Sequence, residues 1–185
     1  MINKQPDISE LSKGIHVWYC SISKNESKLP EFEQLLSEDE KKKSIKFKFK
    51  KDRNSYIISR GIVRKLLGSY LSIAPAEIKF EYTPYGKPYL ANNRLNFNIS
   101  HSADKILLAI DLKKELVGID VERVDKKYEF KSVIKGYFTT EEQAYILEQD
   151  SCTRFFQLWT RKEAIVKAIG TGLTDDLNTI NVLNN

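Results

Sequence analysis

Val117-Gly118-Ile119-Asp120-Val121-Glu122 is the stretch that most narrows what this chain can become. Val117, Ile119 and Val121 alternate with Gly118, Asp120 and Glu122, the period of a strand with one buried face. In a strand, Asp120 and Glu122 project from the same side. Two carboxylates that close repel each other unless a cation lies between them or one takes up a proton. Their oxygens suit a hard cation, Mg²⁺ above others, which keeps some waters and often joins carboxylates to phosphates. The competing reading of the same residues is a solvated strand face that ends in a turn.

The chain's 185 residues are enough to bury a core in one domain or two small lobes. With 41% hydrophobic and 30% charged residues it is neither disordered nor fibrous. Cys20 and Cys152 have no metal-type spacing and read as thiols of a reducing compartment. Residues 1–13 carry Asp7 and Glu10 and lack the apolar run of a signal peptide. No stretch approaches membrane-spanning length, so a soluble, cytoplasmic protein is expected. The net charge of +5 is unevenly spread: Lys41, Lys42, Lys43, Lys46, Lys48, Lys50, Lys51 and Arg53 crowd together. Such a run favours a polyanion: nucleic acid, a phosphorylated cofactor or an acidic protein.

Periodicity places a strand at Gly14–Ile22, with Ile15, Val17 and Tyr19 on one face and His16 at the surface. A short helix follows at Leu29–Leu36, opened by Pro30. Ser37 and Glu40 form a capping box for a basic helix, and Phe47 and Phe49 are expected to anchor that run to the core. Asp52–Leu71 is a long helix with Tyr56, Val63, Leu67 and Tyr70 at helical spacing and Arg53, Arg60 and Arg64 on its flanks. Short strands at Ile78–Tyr82, Leu95–Ile99 and Ile106–Ile110, separated by turns, predict antiparallel pairing. Beyond Glu122 the pattern turns helical, with a second capping box at Thr139 and Glu142. A long helix runs from Thr153 to Ile169 and ends at Gly170, and Thr179–Leu183 begins to look like a strand.

Singly, the polar candidates have ordinary explanations. Glu163 and Lys167, four apart, could be a surface ion pair, and Glu142 a helix cap. His101 and Lys87 could be turn residues. Their joint occurrence, however, resembles a known signature. Phe97-Asn98-Ile99-Ser100-His101-Ser102, then Gly118-Ile119-Asp120-Val121-Glu122, then Trp159-Thr160-Arg161-Lys162-Glu163-Ala164-Ile165-Val166-Lys167 through Gly170-Thr171-Gly172-Leu173 is similar to the 4′-phosphopantetheinyl transferases of the surfactin-synthetase-activating type. Tyr85-Gly86-Lys87-Pro88, the Phe49–Arg64 segment and Phe138–Glu142 match as well, so the resemblance spans Ser37 to Leu173.

The resemblance implies an α+β fold of two similar halves, each a small antiparallel sheet packed on a long helix, with the active site in the cleft between them. The halves are expected at 1–112, gripping the nucleotide of coenzyme A, and 113–185, carrying metal and catalytic residues. It implies transfer of 4′-phosphopantetheine from coenzyme A to a serine of an apo acyl or peptidyl carrier protein, releasing 3′,5′-ADP, with Mg²⁺ as cofactor and a monomeric enzyme. Asp120, Glu122, Glu163 and Glu142 would gather the metal. Glu163 would be the general base, and Lys167 and Lys162 would hold phosphates. Lys43, Arg53, Lys87, Ser100 and His101 would grip the nucleotide end. Relatives of this type continue well past the Gly-Thr-Gly-Leu motif, so the last strands of the second sheet are expected to fall beyond Asn185. A different class of reading, a basic nucleic-acid-binding module, rests on Lys41–Arg53 and offers no role for the carboxylates.

Overall fold

Alternating residues pair early in this chain, and their order sets the first half. The computed structural model describes residues 14–91, 94–113, 115–172 and 175–183; the expectations for residues 1–13 and for Leu173 fall outside them. Strand β1, Ile15–Ser21, pairs antiparallel with β5, Lys105–Asp111, which pairs antiparallel with β4, Asn96–Ser102. The order is therefore β1-β5-β4. Strands β2, Phe80–Tyr82, and β3, Pro88–Leu90, form a separate hairpin. Because β4 runs on to Ser102, His101 lies within the strand rather than after it.

Ile15, Val17 and Tyr19 turn out to be the solvent face of β1. The core-facing set is His16, Trp18 and Cys20, because Tyr70 reaches under the strand. Its hydroxyl takes the Trp18 indole N–H at 2.9 Å and meets His16 Nδ1 at 2.7 Å, which corrects the surface assignment of His16. Cys20 and Cys152 are free thiols.

The sheet packs on α3, Lys50–Leu71, through Ile58, Ile62, Leu66 and Leu67 on the helix and Phe97, Ile106, Leu108 and Ile110 on the strands. Helix α3 ends at Ser72 in the left-handed region. Helices α1, Leu29–Leu35, and α2, Glu38–Ser44, precede it. Phe47 packs against Tyr56 with the rings tilted and their centres 5.2 Å apart, as an anchor should, but Phe49 is 62% exposed. It occupies the extended N-cap position of α3, which aims its ring at solvent beside the Lys48 ammonium.

The Ser37–Glu40 capping box forms as expected, and Glu40 does more than cap. Its oxygens take Arg60 Nε and Arg64 Nε, each at 2.7 Å, so these arginines are buried rather than on the flanks. Arg64 also donates to the carbonyls of Pro75 and Ile78, tying the loop before β2 to α3.

The second half is built on α4, Lys131–Tyr137, α5, Thr140–Glu148, and α6, Ser151–Ile169. Phe130, Phe138, Phe155 and Trp159 interlock between them. The device of the first half recurs. The capping-box carboxylate of α5, Glu142, reaches a cation of the long helix, Lys162. The architecture is α+β. Among the described residues, however, the second half has no assigned strand. The 117–122 stretch is extended without a backbone ladder, and the expected strand at Thr179–Leu183 begins as the end of a 3₁₀ turn, Asp175–Thr179. Among the described residues no helix is long and apolar enough to cross a membrane.

Removing the charge of Glu40 strands two buried guanidinium groups. Glu40→Gln is expected to cost about 3–5 kcal/mol in urea unfolding. Burial pushes the Glu40 carboxyl up, but Arg60, Arg64 and the Ser37 N–H outweigh it and hold the group below its ordinary value. A depressed folded pKa contributes stability above the ordinary carboxylate value, and that stability is lost as pH falls through the lowered one. Unfolding midpoints measured down this acid limb should therefore drop more steeply for wild type than for Glu40→Gln; parallel curves would deny the linkage.

Candidate active site

The alternation of β4 sends Asn98, Ser100 and Ser102 to one face of the sheet, and the extended segment after Glu115 docks on them. The N–H groups of Ile119, Val121 and Arg123 donate to Asn98 Oδ1, Ser100 Oγ and Ser102 Oγ at 2.9, 3.3 and 3.1 Å. Ser100 and Ser102 in turn donate to Asp120 Oδ1 and Glu122 Oε2 at 2.7 and 2.8 Å. The two carboxylates thus share one side, as the alternation predicts, although the ladder runs through side chains. Gly118 is needed here: a Cβ would lie 1.9 Å from the Ala164 carbonyl oxygen, so any other residue would push α6 away.

Close packing on Gly118 brings the Glu163 and Lys167 face of α6 to Asp120. Lys167 Nζ donates to Asp120 Oδ1 and, at 3.1 Å, to Ser100 Oγ. The Asp120 side chain is buried, and among the described residues its Oδ2 has no hydrogen-bond partner. Burial pushes the Glu163 carboxyl above its ordinary value; Lys167 opposes this, and Asp120 and Glu122 add to it. The three carboxylates feel one another, yet among the described residues no group of three closes into a ready metal cage. Lys167 supplies the positive charge at Asp120 instead.

Beside this cluster opens a cavity of about 760 Å³ lined by Lys43, Tyr56, Arg60, Tyr82, Ser100 and His101, with Glu122 and Lys167 at its edge. Lys43 Nζ lies 5.6 Å from the Tyr56 ring centre. Burial pushes the Tyr56 hydroxyl to about 12, so it remains a neutral donor. Sequence reasoning gave Arg60, Tyr82, Lys51 and Tyr56 no site role. Lys51, Ser55 and Ser59, with Tyr56 and Arg60, form a polar stripe at helical spacing on α3, a signal present in the sequence. Tyr82 carries no such signal; Arg60 Nη2 holds its hydroxyl at 2.5 Å.

Four expected site residues lie elsewhere. Arg53 pairs with Glu33 of α1 at 2.8 Å and does not line this cavity. Lys87 spends its ammonium on the carbonyls of Ala168, at 2.8 Å, and Val117, at 3.4 Å. Lys162 and Glu142 are corrected most firmly. Lys162 is 1% exposed and donates to Glu142 Oε2 at 2.8 Å and to the carbonyls of Leu177 and Ile180. Glu142 accepts from the N–H groups of Thr139 and Val182, each at 2.8 Å. Helical periodicity turns these side chains into the core of the second half, where neither can reach a phosphate or a metal in the cleft.

Two family models match the chain. One, described as the 4′-phosphopantetheinyl transferase superfamily, covers residues 116–185; the other, 4′-phosphopantetheinyl transferase, N-terminal, covers residues 23–113. The chain is similar to the 4′-phosphopantetheinyl transferase HetI of Nostoc sp., with 34% identity over 92% of this chain and 74% of that protein. It is also similar to the 4′-phosphopantetheinyl transferase of Bacillus subtilis, with 32% identity over 80% of this chain and 66% of that protein. The human L-aminoadipate-semialdehyde dehydrogenase-phosphopantetheinyl transferase is 32% identical over 78% of this chain and 52% of its own length.

The placement of Lys162 and Glu142 makes a direct prediction. Lys162→Met leaves a buried, uncompensated carboxylate and should lower stability by about 3–5 kcal/mol, much of which Glu142→Gln in the same chain restores, because the amide oxygen is neutral and still accepts a backbone N–H. Urea unfolding of the single and double variants checks this. A fully stable single variant would return both side chains to the cleft.

Proposed function

The chain belongs to the 4′-phosphopantetheinyl transferase superfamily, and on that premise we propose how its own residues carry the reaction. The protein transfers the 4′-phosphopantetheine group of coenzyme A to a serine of a carrier protein. The observation that carries our residue assignment is the meeting of Asp120, Lys167, Glu163 and Ser100 at the edge of the cavity lined by Lys43, Tyr56, Arg60 and His101. A cationic and hydroxyl-lined cavity suits a nucleotide with phosphates, and the carboxylate edge suits the reacting pyrophosphate.

The residues fit Mg²⁺. The buried Asp120 Oδ2 lacks a partner among the described residues, and Asp120, Glu122 and Glu163 together offer only carboxylate oxygens. These three would hold the ion, without Glu142, and when bound it neutralises pyrophosphate charge. Lys43 and His101 grip the nucleotide end, and Arg60 with the Tyr56 hydroxyl lines its other wall. Glu163 takes the proton of the acceptor serine hydroxyl as that oxygen bonds to the β-phosphorus. Within the protein alone, burial pushes the Glu163 carboxyl above its ordinary value and Lys167 opposes this, so the ionised form that takes the proton stays accessible. The bond from the β-phosphorus to the bridging oxygen breaks, and 3′,5′-ADP leaves with the electron pair. Lys167, one helical turn from Glu163, meets charge on the phosphates. One chain supplies all these groups, which suits a monomer. The family match accounts for both halves, and the basic run needs no nucleic-acid role.

Incubation with coenzyme A, Mg²⁺ and an apo carrier protein should add one phosphopantetheine group to the carrier, read by mass spectrometry; an unmodified carrier would sink the reading. Glu163→Gln should slow this transfer by roughly 10²–10⁴-fold while coenzyme A still binds. A rate close to wild type would leave Glu163 without a part in proton transfer.

The grip on the 3′-phosphate is tested by ligand. Loss of one charge-assisted contact costs roughly 1.5–3 kcal/mol. Coenzyme A should therefore bind more tightly than 3′-dephospho-coenzyme A in calorimetry, and Lys43→Ala should narrow the gap. Equal affinities would remove Lys43 from that contact.

A further inference from the structure

The function leaves two sequence motifs unabsorbed, Tyr85-Gly86-Lys87-Pro88 and Gly170-Thr171-Gly172, and the fold lays one on the other. The first is a stiff turn between β2 and β3. Thr83 N–H donates to the Lys87 carbonyl at 2.9 Å, Gly86 N–H to the Thr83 carbonyl at 2.8 Å, and Lys87 N–H to Thr83 Oγ1 at 3.1 Å. Arg60 holds the hairpin to α3 through the Tyr82 hydroxyl. The second motif closes α6, with Gly170 and Gly172 in the left-handed region at φ +81° and +72°.

Their contacts are close and specific. A Cβ on Gly170 would stand 3.3 Å from Lys87 Cδ, and one on Gly172 would stand 3.3 Å from Tyr85 Cδ1. The Lys87 stem therefore crosses the helix end while the Tyr85 ring covers the following loop. Beyond the stem, Lys87 Nζ donates to the Ala168 carbonyl at 2.8 Å and the Val117 carbonyl at 3.4 Å. Ala168 is in the last turn of α6, where carbonyls lack partners within the helix and a cation is favoured. Val117 begins the segment that carries Asp120. Burial lowers the Lys87 ammonium from its ordinary value, in keeping with a group enclosed by these partners.

We propose that Lys87 is a positioning residue rather than a phosphate ligand, and that its turn, with Tyr85, is the seat that fixes the end of α6. The seat lies one residue from Lys167, whose ammonium meets Asp120 and Ser100 and which itself stands about one turn from Glu163. The N-terminal half thereby sets where the catalytic face of α6 stands. The inference rests on the transferase reading.

Wild-type transfer to an apo carrier protein is measured first, with coenzyme A affinity by calorimetry. Lys87→Met keeps the stem over Gly170 and loses the two carbonyl bonds. It should leave coenzyme A affinity within about two-fold and lower kcat by roughly 10²-fold, the scale on which misplaced groups act. Tyr85→Ala should act in the same direction, and the double variant should lose less than the product of the two. Amide hydrogen exchange in Val166–Gly170 should quicken in each. A coenzyme A affinity reduced tenfold or more at unchanged kcat would overturn the proposal and make Lys87 a phosphate ligand. Unchanged kcat, affinity and exchange would make it an ordinary turn lysine. If Lys87→Met does not fold, Tyr85→Ala carries the same comparison. If wild type transfers nothing, the transferase reading fails, while exchange in the last turn of α6 still decides the seat.

Discussion

The two halves meet on a ladder of polar side chains. Asn98, Ser100 and Ser102 accept the N–H groups of Ile119, Val121 and Arg123, and the two serine hydroxyls donate hydrogen bonds to Asp120 and Glu122. Backbone N–H groups need acceptors, and here side chains of a neighbouring strand supply them. The hydroxyls that dock the segment are the same ones that aim its carboxylates. The interface and the candidate site are consequently one object, and a shift of either half moves the chemistry.

Each half then stiffens its side of that interface by the same means. A capping box opens a helix, and its glutamate reaches sideways to a cation on the neighbouring long helix. Glu40 meets Arg60 and Arg64 on α3, and Glu142 meets Lys162 on α6. A buried ion pair adds little net stability relative to apolar packing, but losing one partner costs much. Such pairs fix which side of the helix faces inward. In the first half that orientation presents Lys51, Ser55, Tyr56 and Ser59 to the cavity, with Arg60 bridging from Glu40 to Tyr82. In the second it turns Glu163 and Lys167 toward Asp120.

Much of this was legible in the residues themselves. The capping boxes at Ser37 and Thr139, the helix stop at Gly170 and the same-side pair Asp120 and Glu122 follow from local rules that tertiary context did not disturb. The roles of Glu142 and Lys162 were not. In sequence a carboxylate in a helix cap and a lysine beside Glu163 look as available as their neighbours. Adjacent helix positions differ by about a quarter turn, given 3.6 residues per turn, so Lys162 and Glu163 face different surroundings. Only packing decides which of them meets the core. β1 shows the same limit: two faces alternate, and Tyr70, far along the chain, selects the inner one.

Periodicity, caps and charge determined the elements of this protein and the residue types available for phosphate and cation chemistry, because those depend on near neighbours along the chain. Tertiary structure decided which polar groups are consumed in holding the fold and which are left for a ligand. Glu40, Arg64, Glu142, Lys162 and Lys87 satisfy buried partners. Lys43, His101, Glu122 and the free oxygen of Asp120 remain at the cleft. That division rests on desolvation: a buried charge must be paired, and which charges become buried is settled only when distant segments pack together.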